Sequence, residues 1–141
     1  PLHSSAASDV YKRQYLMNII KNGNYKRIIC IGYSAGGYAA LLFGSLIKSN
    51  LVITFNAQTM LKDCYNKQYA DILPYMYIRS SFILYVNTSM THRSNIHHKS
   101  HSSRMSIYKN AKIIEKKTLN INSNTLTNEI TPIIKCYLNK E

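Results

Sequence analysis

The chain alternates short, uniformly apolar runs with longer segments of other patterns. Apolar runs rich in β-branched residues cover residues 27–33 (RIICIGY), 51–55 (LVITF), 82–86 (FILYV) and part of 111–121 (AKIIEKKTLNI). Runs of this length without polar alternation are typical of strands that are buried on both faces of a sheet. They predict four strands in this order along the chain.

Helical patterns separate the predicted strands. Residues 35–48 (AGGYAALLFGSLIK) are apolar on nearly all sides, which predicts a buried helix. We expect further helical segments at 15–21, in pieces of 57–79 broken near Pro74, within 91–108, and at 126–138, where Pro132 is tolerated only in the first turn. This alternation predicts an α/β fold: a partial doubly wound parallel sheet, with helices on both faces, in three αβα layers.

Length and composition exclude several classes of protein. The 141 residues, 45% of them hydrophobic, are enough for one globular domain with a buried core. Three scattered cysteines give neither a disulfide framework nor a zinc ribbon. No apolar run approaches the roughly 18–20 residues of a membrane span. We therefore expect no membrane span. We also expect a cytoplasmic protein. The sequence leaves its oligomeric state open.

The net charge of +12 raises the question of a nucleic-acid partner. The basic residues are mostly Lys, spread along the chain among many Asn and Ile, and these three residue types share A/T-rich codons. Zinc-finger, helix-turn-helix and RNA-binding aromatic motifs are absent from the sequence. We therefore expect no nucleic-acid partner.

The start of the chain resembles a translated reagent. Residues 4–14 (SSAASDVYKRQ) are similar to a transposase-type sequencing-library adapter read in frame. Segments of this kind are excluded before the fold is considered. We expect residues 1–14 to be adapter-derived and residues 15–141 to be the C-terminal part of a single domain, whose earlier portion is missing.

A G-x-S-x-G motif stands between the first predicted strand and the buried helix. It reads Gly32-Tyr33-Ser34-Ala35-Gly36. At such a turn a serine occupies a strained backbone position and its hydroxyl projects above the sheet. The two glycines let strand and helix approach closely. The amide of Ala35, at the helix N-terminus, would point at an oxyanion. The motif predicts a nucleophile elbow with Ser34 as the nucleophile.

At these residues the chain resembles the α/β-hydrolase family. The stretch IICIGYSAGGYAALLFGSLIKSNLVITFNAQT, residues 28–59, is similar to the elbow, following helix and next strand of a bacterial branch of that family. The resemblance implies a serine esterase or acyl-transfer hydrolase that acts through an acyl-enzyme on a small-molecule or saccharide-linked ester. It also implies that the chain holds the C-terminal half of the sheet.

The family orders its triad Ser, then Asp or Glu, then His. The resemblance therefore places the acid just after strand 82–86 and the histidine just after the strand that ends near residue 121. The residues at these places, 87–91 (NTSMT) and 122–127 (NSNTLT), include neither. No acid lies between Asp71 and Glu115, and no histidine follows His101. The sequence thus departs from the family at two of three triad positions.

A displaced base is one way to fill this gap. His97 and His101 are four residues apart, on one face if the segment is helical, with Asp71 or Asp63 as a remote orienting acid. Neither an acid nor a cysteine stands near them to complete a metal site, so we expect no metal and no cofactor. The alternative is that residues 92–104 (HRSNIHHKSHSSR) form a solvated basic helix outside the sheet.

Polar and aromatic residues near the elbow are candidate lining groups. Tyr33 either lines a substrate cleft or is structural, Gln58 is a candidate lining group after the second strand, and Tyr38 is expected in the core.

Two functions remain open from the sequence. The first is a serine hydrolase, and the second is a degenerate, non-catalytic hydrolase-fold protein that binds or scaffolds; a sequence error near the 3′ end is a third explanation of the gap. We expect the Ser34 hydroxyl to project toward the C-terminal ends of the strands. Because the histidines of 92–101 are assigned to an outer helix, we expect no His nitrogen within about 3.2 Å of it.

Overall fold

A computed structural model of the chain describes residues 5–61, 67–91, 97–119 and 122–139. Four strands form one sheet, and helices lie before, between and after them. In chain order the elements are α1 (Ser5–Gly23), β1 (Ile29–Tyr33), α2 (Ala35–Leu46), β2 (Leu51–Phe55), β3 (Ser81–Asn87), α3 (Ser100–Ser103), β4 (Ala111–Lys116) and α4 (Ser123–Leu138). Short 3₁₀ turns stand at Lys67–Tyr69, Leu73–Tyr75 and Arg104–Ile107.

The sheet is parallel throughout and its strands lie in the order β1-β2-β3-β4. Tyr33 pairs with Phe55, and Phe55 pairs with Tyr85, so the first three strands end at one edge. The predicted α/β class, strand order and parallel pairing are confirmed. Because all the strands run in one direction, the residues that follow β1, β2 and β3 meet at the same C-terminal edge.

Two hydrophobic cores cover the two faces of the sheet. Successive side chains of a strand point to opposite faces, so each strand contributes to both cores. The face toward α2 carries Val52, Phe82 and Leu84, packed with Ala40, Leu41 and Met105. The face toward α4 carries Leu51, Ile53, Phe55 and Tyr85, packed with Ile130. These layers are the predicted αβα arrangement.

Pro132 lies inside α4 and not in its first turn. The expectation that Pro132 is tolerated only in the first turn of this helix is wrong, since the helix starts nine residues before it. A proline in a helix interior costs one backbone hydrogen bond. The apolar face of α4 offsets this cost because Ile130, Ile133, Ile134 and Tyr137 pack on the sheet.

Helix α1 begins at Ser5, well before the predicted helix at 15–21. Val10 and Tyr11 are 53% and 68% exposed, so these side chains stay outside both cores. The origin of residues 1–14 stays a prediction. Within the described ranges, no helix is both long and apolar enough to cross a membrane.

Candidate functional site

Ser34 stands at the turn between β1 and α2 with an unusual backbone conformation. Its φ is 52° and its ψ is −116°, a region that residues other than glycine rarely adopt. Two backbone hydrogen bonds hold it there: the Ser34 amide donates to the Phe55 carbonyl at 2.9 Å, and its carbonyl accepts from Tyr38 at 3.0 Å. Such strain costs about 1–3 kcal/mol and persists where the surroundings impose it. The backbone therefore has the geometry expected of a nucleophile elbow.

The glycines around the serine differ in how much room each would leave for a side chain. A Cβ added at Gly32 would lie 2.0 Å from the Gly36 carbonyl oxygen, so only glycine fits there. A Cβ added at Gly36 meets no described atom within 4 Å. Strand and helix thus approach closely at the Gly36 backbone, but the missing side chain that allows this is that of Gly32; a second close approach is at Gly37, where a Cβ would lie 2.8 Å from that of Ala57.

His97 lies beside the serine hydroxyl. The distance from Ser34 Oγ to His97 Nε2 is 2.7 Å, within hydrogen-bonding range. The expectation that no histidine nitrogen reaches Ser34 is therefore wrong. Its source was the assignment of the histidines to an outer solvated helix.

The segment that carries His97 packs against the sheet because it contains buried side chains. Ser102 and Met105 are 1% and 0% exposed, and Met105 belongs to the core on the α2 face. The Ser102 hydroxyl donates to the carbonyl of Ala57 at 3.2 Å. The described part of the segment is a turn, the short helix α3 and a 3₁₀ turn. These contacts bring His97, three residues before α3, to the C-terminal edge.

Tyr33 and Ala35 complete the immediate surroundings of the serine. The Tyr33 ring lies 5.7 Å from the His97 ring, centre to centre, with the planes tilted by 36°. Tyr33 is 47% exposed, so its ring also faces solvent beside the serine. Ala35 is the first residue of α2, and the amides of a first helical turn have no partner within the helix. This amide is the candidate oxyanion donor.

The last residue of β3 and the residues that follow it carry amides and hydroxyls and no carboxylate. Asn87 is buried, and its side-chain oxygen accepts from the amide and hydroxyl of Ser89 at 2.9 and 2.7 Å. The Asn87 amide donates to the side-chain oxygen of Asn56, another buried residue at this edge. The bond between Asn87 and Asn56 thus links the C-terminal ends of β2 and β3.

Each carboxylate whose side chain the structure describes has a basic partner. The pairs are Asp71 with Arg104, Glu115 with Lys99 and Glu129 with Lys116. Asp71, a candidate orienting acid, also accepts from the Leu73 amide. Asp63, the other candidate, lies outside the described residues.

The pKa of Asp71 is lowered overall. Burial raises this pKa, but the hydrogen bond from Arg104, the Leu73 amide and the charge of Arg104 together outweigh burial. The carboxylate is therefore held ionised by Arg104.

The other candidate residues lie at different places. His101 is on α3, where its Nδ1 accepts a long 3.5 Å bond from the Thr59 amide. Gln58 is half-buried in the loop after β2. Tyr38 packs against the core on the α2 face, as predicted. Sequence reasoning missed Arg104 and Thr59, because nothing in their local pattern marks them.

The described side chains include no group of three His, Cys, Asp or Glu residues that could hold a metal ion. Comparison of the chain with models of protein families, with curated proteins and with solved structures finds no match.

Proposed function

We propose that this chain is a serine hydrolase of the carboxylic ester or acyl-transfer type, with Ser34 as nucleophile and His97 as general base. The observation that supports it most is the 2.7 Å contact between Ser34 Oγ and His97 Nε2 at a strained strand-to-helix turn. A serine hydroxyl is a weak nucleophile until a neighbouring base accepts its proton. The elbow and the base come from distant parts of the chain and meet at this one edge.

Acylation uses the contact directly. With its proton on Nδ1, the imidazole of His97 accepts the Ser34 hydroxyl proton at Nε2. The Ser34 oxygen then forms a bond to the ester carbonyl carbon, and the carbonyl oxygen becomes an oxyanion. The amide of Ala35 donates to that oxyanion, helped by the positive end of the α2 dipole. As the tetrahedral intermediate collapses, His97 gives the proton to the leaving alkoxide and the ester C–O bond breaks.

Deacylation repeats the same steps with water. His97 accepts a proton from a water molecule, whose oxygen attacks the acyl carbon. The bond to Ser34 breaks and the proton returns to the serine oxygen. An alcohol in place of water gives acyl transfer.

The substrate class follows from the resemblance and from Tyr33. The resemblance implies a small-molecule or saccharide-linked ester. Tyr33 supports this class because its half-exposed ring beside the serine offers an apolar face for a sugar or acyl group. Its hydroxyl adds a hydrogen-bonding group at the same place.

Hydrolysis of 4-nitrophenyl acetate by the 141-residue chain tests the proposal. We expect a burst of 4-nitrophenol close to the protein concentration, then slower steady turnover, because this activated ester acylates the serine faster than water removes the acyl group. Ser34→Ala should abolish the burst, and the exposed control Ser106→Ala should retain it. A folded wild-type chain that gives no burst and no turnover above Ser34→Ala would instead support the non-catalytic binding or scaffolding protein.

A further inference from the structure

We propose that Arg104 is the positioning residue for His97, through a three-way clamp of Arg104, Asp71 and Thr59. The inference rests on the proposed function, since it names what holds the base against Ser34. Arg104 does not touch the serine. It acts through the segment of residues 97–104, which we call the histidine segment.

Arg104 joins three parts of the chain that are distant in sequence. Its Nη2 lies 2.5 Å from Asp71 Oδ2, in an ion pair whose side chains are 28% and 38% exposed. Its Nη1 lies 3.3 Å from the Thr59 carbonyl oxygen and 3.4 Å from Thr59 Oγ1. One guanidinium, carried by the histidine segment, therefore bonds both the loop after β2 and the loop before the second 3₁₀ turn.

The two loops that Arg104 joins are also linked to each other. Met60 and Asp71 form an isolated antiparallel bridge. The Leu61 amide donates to the carbonyl of Ala70 at 2.8 Å, and the Ile72 amide donates to that of Thr59 at 3.2 Å. The bridge and these two hydrogen bonds hold the two loops together, so Thr59 and Asp71 are in fixed positions when Arg104 binds them.

Thr59 holds the histidine segment at a second point. Its hydroxyl donates to the His101 carbonyl at 2.6 Å, so Thr59 contacts the segment through both Arg104 and His101. From His101 the backbone continues as one bonded turn: the His101 amide donates to His98 at 3.1 Å, and the Ser103 amide donates to Lys99 at 2.9 Å. By fixing His101, the clamp therefore also restrains His98, the residue next to His97.

The position of His97 matters because its hydrogen bond to Ser34 is lost after a small displacement. At 2.7 Å the Ser34–His97 pair is in range, and a shift of about 1 Å takes a pair out of hydrogen-bonding distance. The planar guanidinium has its donors in a fixed fork, so it can bond Asp71 and Thr59 at once, whereas a lysine ammonium is a single flexible point charge. We therefore expect Arg104→Lys to keep the charge and lose the alignment.

Kinetics with 4-nitrophenyl acetate give the first test. Arg104→Gln and Arg104→Lys should each lower kcat by about tenfold or more, since geometry controls proton transfer, and should leave KM within about twofold because Arg104 does not touch the ester. The exposed Arg79→Gln is the matched control and should behave as wild type. Folded Arg104 variants with wild-type kcat would overturn the proposal.

Nitrogen NMR of the histidine ring gives a second test that needs no turnover. In ¹⁵N-histidine-labelled protein, with signals assigned by loss in His97→Gln, Ser34→Ala should shift the His97 Nε2 resonance because the hydrogen bond disappears. In an Arg104→Lys background the same Ser34→Ala change should shift it by less than half as much.

The two tests separate the two claims. A full Ser34→Ala shift in the Arg104→Lys background would overturn the clamp even if the chain hydrolyses the ester. The reduced shift in a chain that hydrolyses no ester would support the clamp while the proposed function fails. If Arg104→Gln does not fold, Arg104→Lys carries both tests, because it retains the positive charge opposite Asp71.

Discussion

The Ser34 hydroxyl and the His97 imidazole lie 2.7 Å apart, although 63 positions separate them in the chain. Ser34 reaches the C-terminal edge of the sheet through β1, and His97 reaches it through the turn before α3. The histidine therefore follows β3, where the resemblance to α/β-hydrolases implies an acid, and not β4. Two distant parts of the chain thus bring a serine hydroxyl and an imidazole to one edge of the sheet.

His97 should be the one histidine of its segment on which catalysis depends. We expect His97→Gln to lower kcat/KM for 4-nitrophenyl acetate by about 10²–10⁴-fold, the usual contribution of a general base. His98→Gln is the matched control, because the His98 ring bonds the hydroxyl and amide of Ser100 and not Ser34. Equal losses in the two variants would contradict the role of His97.

The elbow should tolerate a methyl group at one glycine and not at another. Gly32→Ala places a Cβ 2.0 Å from a backbone oxygen, so we expect a loss of at least about 1–3 kcal/mol in the free energy of unfolding. Gly36→Ala meets no described atom within 4 Å and should be neutral, or stabilising by up to about 1 kcal/mol as a better helix former. Urea unfolding of both variants measures the contrast, and similar values would argue against this turn.

Backbone strain at Ser34 predicts an unusual order of stability. Ser34→Gly and Ser34→Ala both remove the hydroxyl, but only glycine adopts a φ of 52° without a Cβ penalty. We expect the glycine variant to be more stable than the alanine variant by about 1 kcal/mol, the strain relief exceeding the entropy cost of glycine. Thermal unfolding of the two proteins checks this order. An alanine variant that is as stable as the glycine variant would show that the turn is relaxed.

The Asp71–Arg104 pair makes stability depend on pH with a definite sign. The pKa of Asp71 is lower in the folded chain than its ordinary value of about 3.9. The pair therefore stabilises the fold above that value, and its contribution is lost as the pH falls toward and through the lowered pKa. Between pH 5 and about pH 2, the unfolding free energy of wild type should fall more steeply than that of Asp71→Asn. Parallel curves would show that Arg104 does not hold this carboxylate ionised.

Much of the fold follows from local sequence pattern. Strand β2 coincides with the predicted run LVITF, and each of the other strands lies within or one residue beyond its predicted segment. Uninterrupted apolar runs must be buried on both faces of a sheet, and an Ala/Leu-rich helix between two of them favours a parallel pairing. The elbow is local in part: Gly32 and the Ser34 carbonyl meet their constraints within a few residues, whereas the Ser34 amide bonds Phe55 on the next strand.

The position of His97 depends on tertiary contacts that no local pattern shows. The histidine segment is polar and basic in sequence, which favours a solvated helix. Its anchors include the bonds of Arg104 to Asp71 and Thr59, the bond from Thr59 to the His101 carbonyl and the bond from Ser102 to Ala57. These partners come from loops far away in the chain, so the sequence could nominate His97 as a candidate but could not place it at Ser34.

The rate at which a fluorophosphonate probe labels Ser34 tests the central claim most directly. This reagent reacts with a serine oxygen that a neighbouring base has activated, and mass spectrometry identifies the labelled peptide. We predict labelling of Ser34 in the wild-type chain, labelling slower by about 100-fold or more in His97→Gln, and none in Ser34→Ala. A folded wild-type chain that is not labelled, or a His97→Gln variant labelled at the wild-type rate, would contradict the account.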